Sequence, residues 1–442
     1  LSLIPFISNA NILPKGRLMA SLYFLLPLLY IICTIYFIKG VYIRVFTIFY
    51  FVVNFVYYLS VWIQGIPLEE GYTQVFWFSF LSLFAIHLSY FITPIKVSSR
   101  YNHSDDLSNS WFRSINSKIF VVCGLVLYIF ALMIYVKNNG VAFGGGYEAR
   151  LEQNSGGGLS IILMYAFVPS SIVFFLRKPT KLRFILATAL AIFCGSVYYY
   201  VIGGSRNVMG AAVLAITYFA YEKKVLRINE IAILSACCCV ALIVLGALRY
   251  GSSLDDVISM LLSGSSVMIS FALDSFSPIY AIKDIIEYID KTGNIQYFST
   301  FFNEFAIIVP RFLWESKPIN FLNNGYFYTT YILNMDTQLT ISPTIVGSFI
   351  IMFGTTWFWL WGLITGSTLK IIDAVTKKTR MITIKITFIT CIGYCFFWVR
   401  DGLEVFMYIS FKFFLCVMII KAISTIVGSL LKRPSNENFA HK

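Results

Sequence analysis

The sequence predicts an all-α polytopic integral membrane protein, and three observations carry that reading. Hydrophobic residues fill 58% of the 442 positions and charged residues 12%, about half the charged share of an ordinary soluble domain. Apolar runs of about 20 residues, the length a helix needs to cross hydrocarbon, recur along the chain. Lysine and arginine gather in alternate connections between those runs, the asymmetry that orients membrane helices. So little polar side chain cannot cover a water-soluble surface of this size. Soluble enzymes, disordered proteins and disulfide scaffolds are therefore excluded. A net charge of +13 would point to nucleic acid in a soluble chain. Here membrane orientation accounts for it, and no nucleic-acid partner is expected.

Lipid offers no hydrogen bonds, so each apolar run must satisfy its own backbone and is read as a helix. Eleven spans follow in order: 18–38, 41–63, 73–95, 118–136, 159–176, 184–202, 207–221, 228–248, 345–368, 381–399 and 403–431. Twenty-one lysines and arginines fall on one side of these spans, tail included, against eleven on the other. The richer side is read as cytoplasmic; Lys15 and Arg17 are the exceptions. Residues 257–273 are apolar enough for a twelfth span. That crossing would carry the upstream cytoplasmic charges outward, so the segment is read as a helix lying on or dipping into the membrane. Residues 1–17 lack the charged start and long apolar core of a cleaved signal.

Three regions result: a transmembrane bundle over 1–248 with an external loop at 137–158, a large external region over 249–342, and C-terminal spans with a short cytoplasmic tail over 343–442. The external region is too long to be a mere connector. Within it, Ser277-Pro278 is a good helix start. Ile279, Ile282, Ile286 and Ile289 then repeat at helical spacing, while Lys283, Asp284, Glu287 and Asp290 lie mainly off that stripe, and Gly293 ends the helix. This predicts an amphipathic helix at the outer membrane boundary or packed on the bundle. In the 137–158 loop, Gly144-Gly145-Gly146 and Gly156-Gly157-Gly158 flank Tyr147-Glu148-Ala149-Arg150. Glycine runs suit a loop that reshapes around a ligand, and equally a plain flexible connector.

The external side holds few charges. Arg150, Arg206, Arg249, Arg311 and Arg400 sit at span ends or in external loops, and Lys317 joins them. A lone arginine at a span end also serves as an interface anchor. An external excess of arginine against the positive-inside bias instead suits forked recognition of phosphate oxygens. Gly203-Gly204-Ser205-Arg206 directly precedes a span, where free backbone N–H groups favour anions. Arg400-Asp401-Gly402 forms a tight external turn. Pro310-Arg311-Phe312-Leu313-Trp314-Glu315-Ser316-Lys317-Pro318 sets cations for a phosphate beside aromatic faces, Trp314 among them, for a sugar. The same segment also reads as an interfacial loop anchored by Trp and Arg.

A general base for a sugar hydroxyl must be a carboxylate or histidine. The three histidines, His87, His103 and His441, all fall within a span or on the cytoplasmic side. The external carboxylates are Glu148, Glu152, Asp274, Glu304, Glu315, Asp336 and Asp401. Asp401 beside Arg400 also reads as a salt bridge that orients the arginine. All nine cysteines, including the Cys237-Cys238-Cys239 run, lie in apolar runs, and none pairs with His at metal-ligand spacing. Nucleophile-triad and P-loop patterns are absent.

At these residues the chain resembles the Wzy-type oligosaccharide repeat-unit polymerases, which build O-antigens and capsules at bacterial inner membranes. The carrying pieces are Tyr147-Glu148-Ala149-Arg150, Gly203-Gly204-Ser205-Arg206, the Pro310–Pro318 segment, Ser342-Pro343-Thr344 with Gly347, Phe353 and Gly354, and Arg400-Asp401-Gly402. The resemblance implies a GT-C-like fold of about 11–12 transmembrane helices with a large helical periplasmic loop between late spans. It implies a glycosyltransferase that uses undecaprenyl-pyrophosphate-linked oligosaccharides on the periplasmic face. The growing glycan would pass to the non-reducing end of a new lipid-linked unit, without nucleotide sugar, metal or other cofactor. Membrane lipid and a polysaccharide chain-length regulator are the implied partners. Arg206, Arg249, Arg311 and Arg400 with Lys317 would form the pyrophosphate cluster, with Arg150 and Trp314 also binding substrate. Asp401 or Glu304 would activate the acceptor hydroxyl or support its geometry.

One branch of that family carries Arg followed by ten residues and Gly in two periplasmic loops. Here Thr217 stands eleven after Arg206, and Leu322 eleven after Arg311. The related O-antigen ligases need a periplasmic histidine, and none is placed there. A flippase for lipid-linked repeat units is the alternative from another class. It should carry charges within its spans, yet apart from Lys412 and His87 these spans are nearly charge-free. A non-enzymatic membrane partner of a chain-length regulator is the third reading.

Overall fold

The computed structural model describes residues 13–64, 68–95, 110–141, 158–203, 207–249, 273, 276–306, 314, 316, 321–337 and 340–431. Every expected span is helical. In order they are α1 (Leu13–Phe37), α2 (Val41–Gln64), α3 (Tyr72–Ile92), α4 (Ile115–Asn139), the broken pair α5 (Gly158–Met164) and α6 (Phe167–Leu176), α7 (Lys181–Ile202), α8 (Asn207–Glu222) and α9 (Ile228–Arg249). Outer elements follow: α10 (Tyr280–Thr292), α11 (Ser299–Ala306), and α12 (Asn324–Phe327) running into a π-turn, Tyr328–Ile332. The last spans are α13 (Thr344–Lys378), α14 (Ile382–Cys391) joined to α15 (Cys395–Asp401) by a 3-10 turn, and α16 (Leu403–Leu431). Among the described residues nine segments are long and apolar enough to cross a membrane. The chain is thus an all-α polytopic membrane protein. The 257–273 segment lies outside the described residues, Leu273 apart.

Polarity is distributed as a lipid solvent demands. Leu29, Phe37, Phe193 and Ile233 are exposed, while Thr47, Asn54, His87 and Thr390 are buried. His87, one of the two charges noted within the spans, is a satisfied core histidine. Its Nε2 pairs with Thr47 Oγ1 at 2.8 Å and its Nδ1 with the Tyr30 hydroxyl at 3.1 Å.

The central packing axis joins α3 to α13. Small residues let the two backbones approach: a Cβ at Gly366 would run into the Ile86 carbonyl. Ser89 Oγ donates to the Leu363 carbonyl at 2.5 Å in the same seam. At the lysine-rich face, Asp373 of α13 accepts the backbone N–H groups of Tyr42 (2.9 Å) and Ile43 (3.3 Å) and the Tyr90 hydroxyl (3.1 Å). One buried carboxylate therefore caps the start of α2 and ties it to α3 and α13. α13 runs ten residues past the expected apolar stretch because its last turns are polar and leave the hydrocarbon, ending in Lys377 and Lys378.

The outer region packs on the bundle, not along the membrane boundary. Ile279, Ile282, Ile285, Ile286 and Ile289 are buried, and α10 lies against α13, with contacts to α3. Ser277 Oγ donates to the Val53 carbonyl at 2.7 Å, halfway along α2, so the start of α10 enters between the spans. Gly293 caps its end with φ 64°. The Tyr328 hydroxyl donates to Asp284 Oδ2 at 2.8 Å and fastens the π-turn to α10. α13 breaks at Gly354 (φ 70°, ψ 178°), and Gln296 N–H fills the opened ladder by donating to the Ile351 carbonyl at 2.9 Å.

Candidate functional site

The turn between α15 and α16 is built for close approach. Gly402 takes φ 115°, ψ 168°, a region only glycine enters freely. Its N–H closes α15 by donating to the Trp398 carbonyl at 3.0 Å. A Cβ there would overlap the Glu404 carboxylate, so the missing side chain makes room for an acid. Trp398 stacks on Phe406 at 4.3 Å between ring centroids and meets Phe46 of α2 edge-on at 5.2 Å. These rings hold both arms of the hairpin against the bundle.

Two outer pieces close over this turn. α11 supplies Glu304, 5% exposed. The start of α12 supplies two consecutive asparagines, its N-cap Asn323 and its first residue Asn324, and each holds a different glutamate. Asn323 Nδ2 donates to Glu304 Oε2 at 2.9 Å while its Oδ1 caps α12 by accepting from Tyr326 N–H at 2.8 Å. Asn324 Nδ2 donates to Glu404 Oε1 at 2.7 Å. Asn303, one residue before Glu304, donates to the Leu322 carbonyl at 3.0 Å and fixes α11 to the same segment. From the other side Ser342 donates to the Arg400 carbonyl. Two residues on, buried Thr344 starts α13 with φ 64°. That conformation is strained for a β-branched residue, and such strain collects at functional sites.

Glu304, Asp401 and Glu404 thus gather at one place, close enough for their charges to interact. Burial pushes the Glu304 carboxyl above the ordinary carboxylate range, and the Asp401 charge adds to that. The Asn323 amide and the Lys412 ammonium act against it. Lys412, on α16, lies 3.9 Å from the Tyr408 ring centroid, a cation held on an aromatic face. Three buried polar atoms at this turn have no hydrogen-bond partner: Arg400 Nε, Glu404 Oε2 and Asn324 Oδ1. Among the described residues no three His, Cys, Asp or Glu side chains are grouped to hold a metal ion. Chemically, the arrangement offers a carboxylate made more basic by burial, at the same turn as a guanidinium suited to phosphate oxygens.

Of the residues expected from sequence, Asp401, Glu304 and Arg400 come together here. Trp314 is 37% exposed; its Nε1 donates to Ser316 Oγ at 3.2 Å, and its ring lies 5.5 Å from Phe321, two residues before Asn323. Arg249 ends α9, its side chain outside the described residues. Arg150, Arg206, Arg311 and Lys317 also lie outside them, as do Glu148, Glu152, Asp274 and Glu315. Asp336 is exposed. Sequence reasoning passed over Glu404, Asn323 and Asn324. Glu404 was absorbed into an apolar span, although an acid in the first turn, four residues after Arg400, was a visible signal. Asn323-Asn324-Gly325 reads as an ordinary turn.

A family model described as WzyE protein, O-antigen assembly polymerase, matches residues 18–434. No solved structure matches the chain.

Proposed function

The chain belongs to the WzyE family of O-antigen assembly polymerases, and from that premise we propose that the α15–α16 turn is where it joins lipid-linked repeat units. The substrates are undecaprenyl-pyrophosphate-linked oligosaccharides in a bacterial inner membrane. The turn lies opposite the lysine- and arginine-rich loops, so the positive-inside bias puts it on the periplasmic side. The acceptor's non-reducing-end hydroxyl attacks the anomeric carbon of the growing chain. The bond to the lipid pyrophosphate breaks, and that group leaves with its negative charge.

Glu304 takes the hydroxyl proton, its basicity raised by burial. Ser342 fixes the Arg400 backbone by donating to its carbonyl, and the charge of neighbouring Asp401 favours the guanidinium staying at this turn. Arg400 meets the charge that grows on the leaving pyrophosphate, where a preplaced cation is worth most. Arg150, Arg206, Arg249, Arg311 and Lys317 complete the anion site from neighbouring loops, and Trp314 offers a face to a sugar. On this reading the cations do without metal or nucleotide sugar, and a chain-length regulator is the protein partner. The observation that carries the proposal is the meeting of Asp401, beside Arg400, with the buried Glu304 and Glu404 at the end of the last two spans.

The test is in cells. A strain lacking this chain should make surface glycan of single repeat units, and restoring the chain should restore the ladder. Glu304→Gln, present in the membrane at normal level, should leave single units. A full ladder from that variant would remove Glu304 from the chemistry.

A further inference from the structure

Glu404 and Asn324 make a small site that the roles above leave unused. Both are buried, at 1% and 0% exposure. Their mutual bond, Asn324 Nδ2 to Glu404 Oε1 at 2.7 Å, fixes which way the amide faces: its nitrogen must point at the carboxylate, so Oδ1 points away. Glu404 Oε2 and Asn324 Oδ1 are then two buried oxygens without hydrogen-bond partners, and Arg400 Nε on the same turn is a buried donor without one. Buried polar atoms are almost always paired, and leaving them unpaired is costly. Gly402 leaves the space the carboxylate occupies, so the arrangement is built and not incidental.

The missing partner has a definable chemistry. Asn324 Oδ1 can only accept, so it calls for an O–H or N–H donor, which a phosphate oxygen does not supply; Glu404 Oε2 also accepts when ionised. A nearby guanidinium nitrogen calls for an acceptor. A saccharide hydroxyl supplies both functions in one group, and a pair of neighbouring hydroxyls would meet both oxygens. We infer that Glu404 and Asn324 bind the hydroxyls of the acceptor sugar and hold the acceptor glycan beside Glu304. This rests on the polymerase reading and adds to it the subsite that recognises the acceptor, with Arg400 shared between it and the donor's pyrophosphate.

The probe is the undecaprenyl-pyrophosphate-linked repeat unit, purified from a strain lacking this chain. Its terminal sugar is left intact, or its neighbouring hydroxyls are cleaved by mild periodate. Binding to the full-length protein in nanodiscs is measured by tryptophan fluorescence, and elongation of a preformed lipid-linked chain by gel. The intact unit should bind wild type about 10- to 100-fold more tightly than the cleaved one, as expected for the loss of two buried hydrogen bonds. Glu404→Gln and Asn324→Ala should each shrink that ratio toward one and raise KM for the acceptor. KM for the donor chain and the melting temperature should stay near wild type. An undiminished ratio in both variants overturns the inference, and so does equal weakening of intact and cleaved units. If wild type binds units but never elongates a chain, the polymerase chemistry fails instead, a separate outcome.

Discussion

Asn324 donates its side-chain amide to Glu404 at 2.7 Å and joins residues 80 positions apart. The neighbouring Asn323 does the same for Glu304. An outer segment thus clamps two acids from different helices at the turn after α15. That juxtaposition puts carboxylates, Arg400 and the first residues of α13 at one end of the bundle.

Glu304 predicts the pH profile. A base must be deprotonated to act, and burial raises this carboxyl above its ordinary value. Polymerisation should therefore fall on the acid side at a pH above the usual carboxylate range, and rise as pH climbs through the raised pKa. Stability runs the other way. The folded state holds this proton more tightly than the unfolded chain, so the Glu304 contribution is full below the unfolded pKa. It is lost as pH rises through the folded one. Initial rates and melting temperatures across pH 4 to 9, roughly the range a buried carboxylate can span, check both. Glu304→Gln should cost about 10²-fold or more in kcat and remove the acid limb from the residual rate.

Arg400 should not be replaceable by lysine. Its guanidinium presents a rigid fork, which a single ammonium does not reproduce. Arg400→Lys should lose about 10²- to 10³-fold in kcat with little change in melting temperature. Single-turnover rates on a preformed lipid-linked chain would show it, and a near-wild-type rate would place the pyrophosphate elsewhere.

Gly402→Ala should disable the enzyme through geometry. The backbone sits at φ 115°, and the new methyl would meet the Glu404 carboxylate. The cost is about 1–3 kcal/mol of strain, and elongation should fall with it. Alanine behaving like glycine in both assays would contradict the close approach described at this turn.

Asp373 provides the structural contrast. It receives two backbone N–H groups and a tyrosine hydroxyl at the opposite end of the bundle. Asp373→Ala should destabilise the protein by about 2–3 kcal/mol. Protein that remains folded should polymerise at the wild-type rate per molecule. Gel filtration after heating, paired with specific activity, separates the two effects.

Much of the fold was legible because lipid enforces a simple code. Each of the eleven expected apolar runs is helical, nine of them long and apolar enough to cross a membrane among the described residues, and the Ile279–Ile289 stripe located α10 and its Gly293 stop. Hydropathy marks where a helix leaves hydrocarbon, not where it ends, which is why α13 runs on to Lys378. It also cannot show breaks that keep the apolar pattern, such as the interruption between Met164 and Phe167 or that at Gly354. Within the site, Glu304, Asp401 and Arg400 were visible as rare charges on the outer side. Glu404 was hidden by the apolar run it begins. Asn323 and Asn324 carry no charge, and only the fold brings them to the acids they hold.

The most direct measurement of the central claim is a cell-free reaction. Purified chain in nanodiscs receives its undecaprenyl-pyrophosphate repeat unit, with chelator present and nucleotide sugar absent. A product ladder spaced by one repeat unit, lost in Glu304→Gln and Arg400→Lys, is the predicted result. No ladder from folded wild-type protein, or an undiminished one from both variants, would contradict polymerisation at the α15–α16 turn.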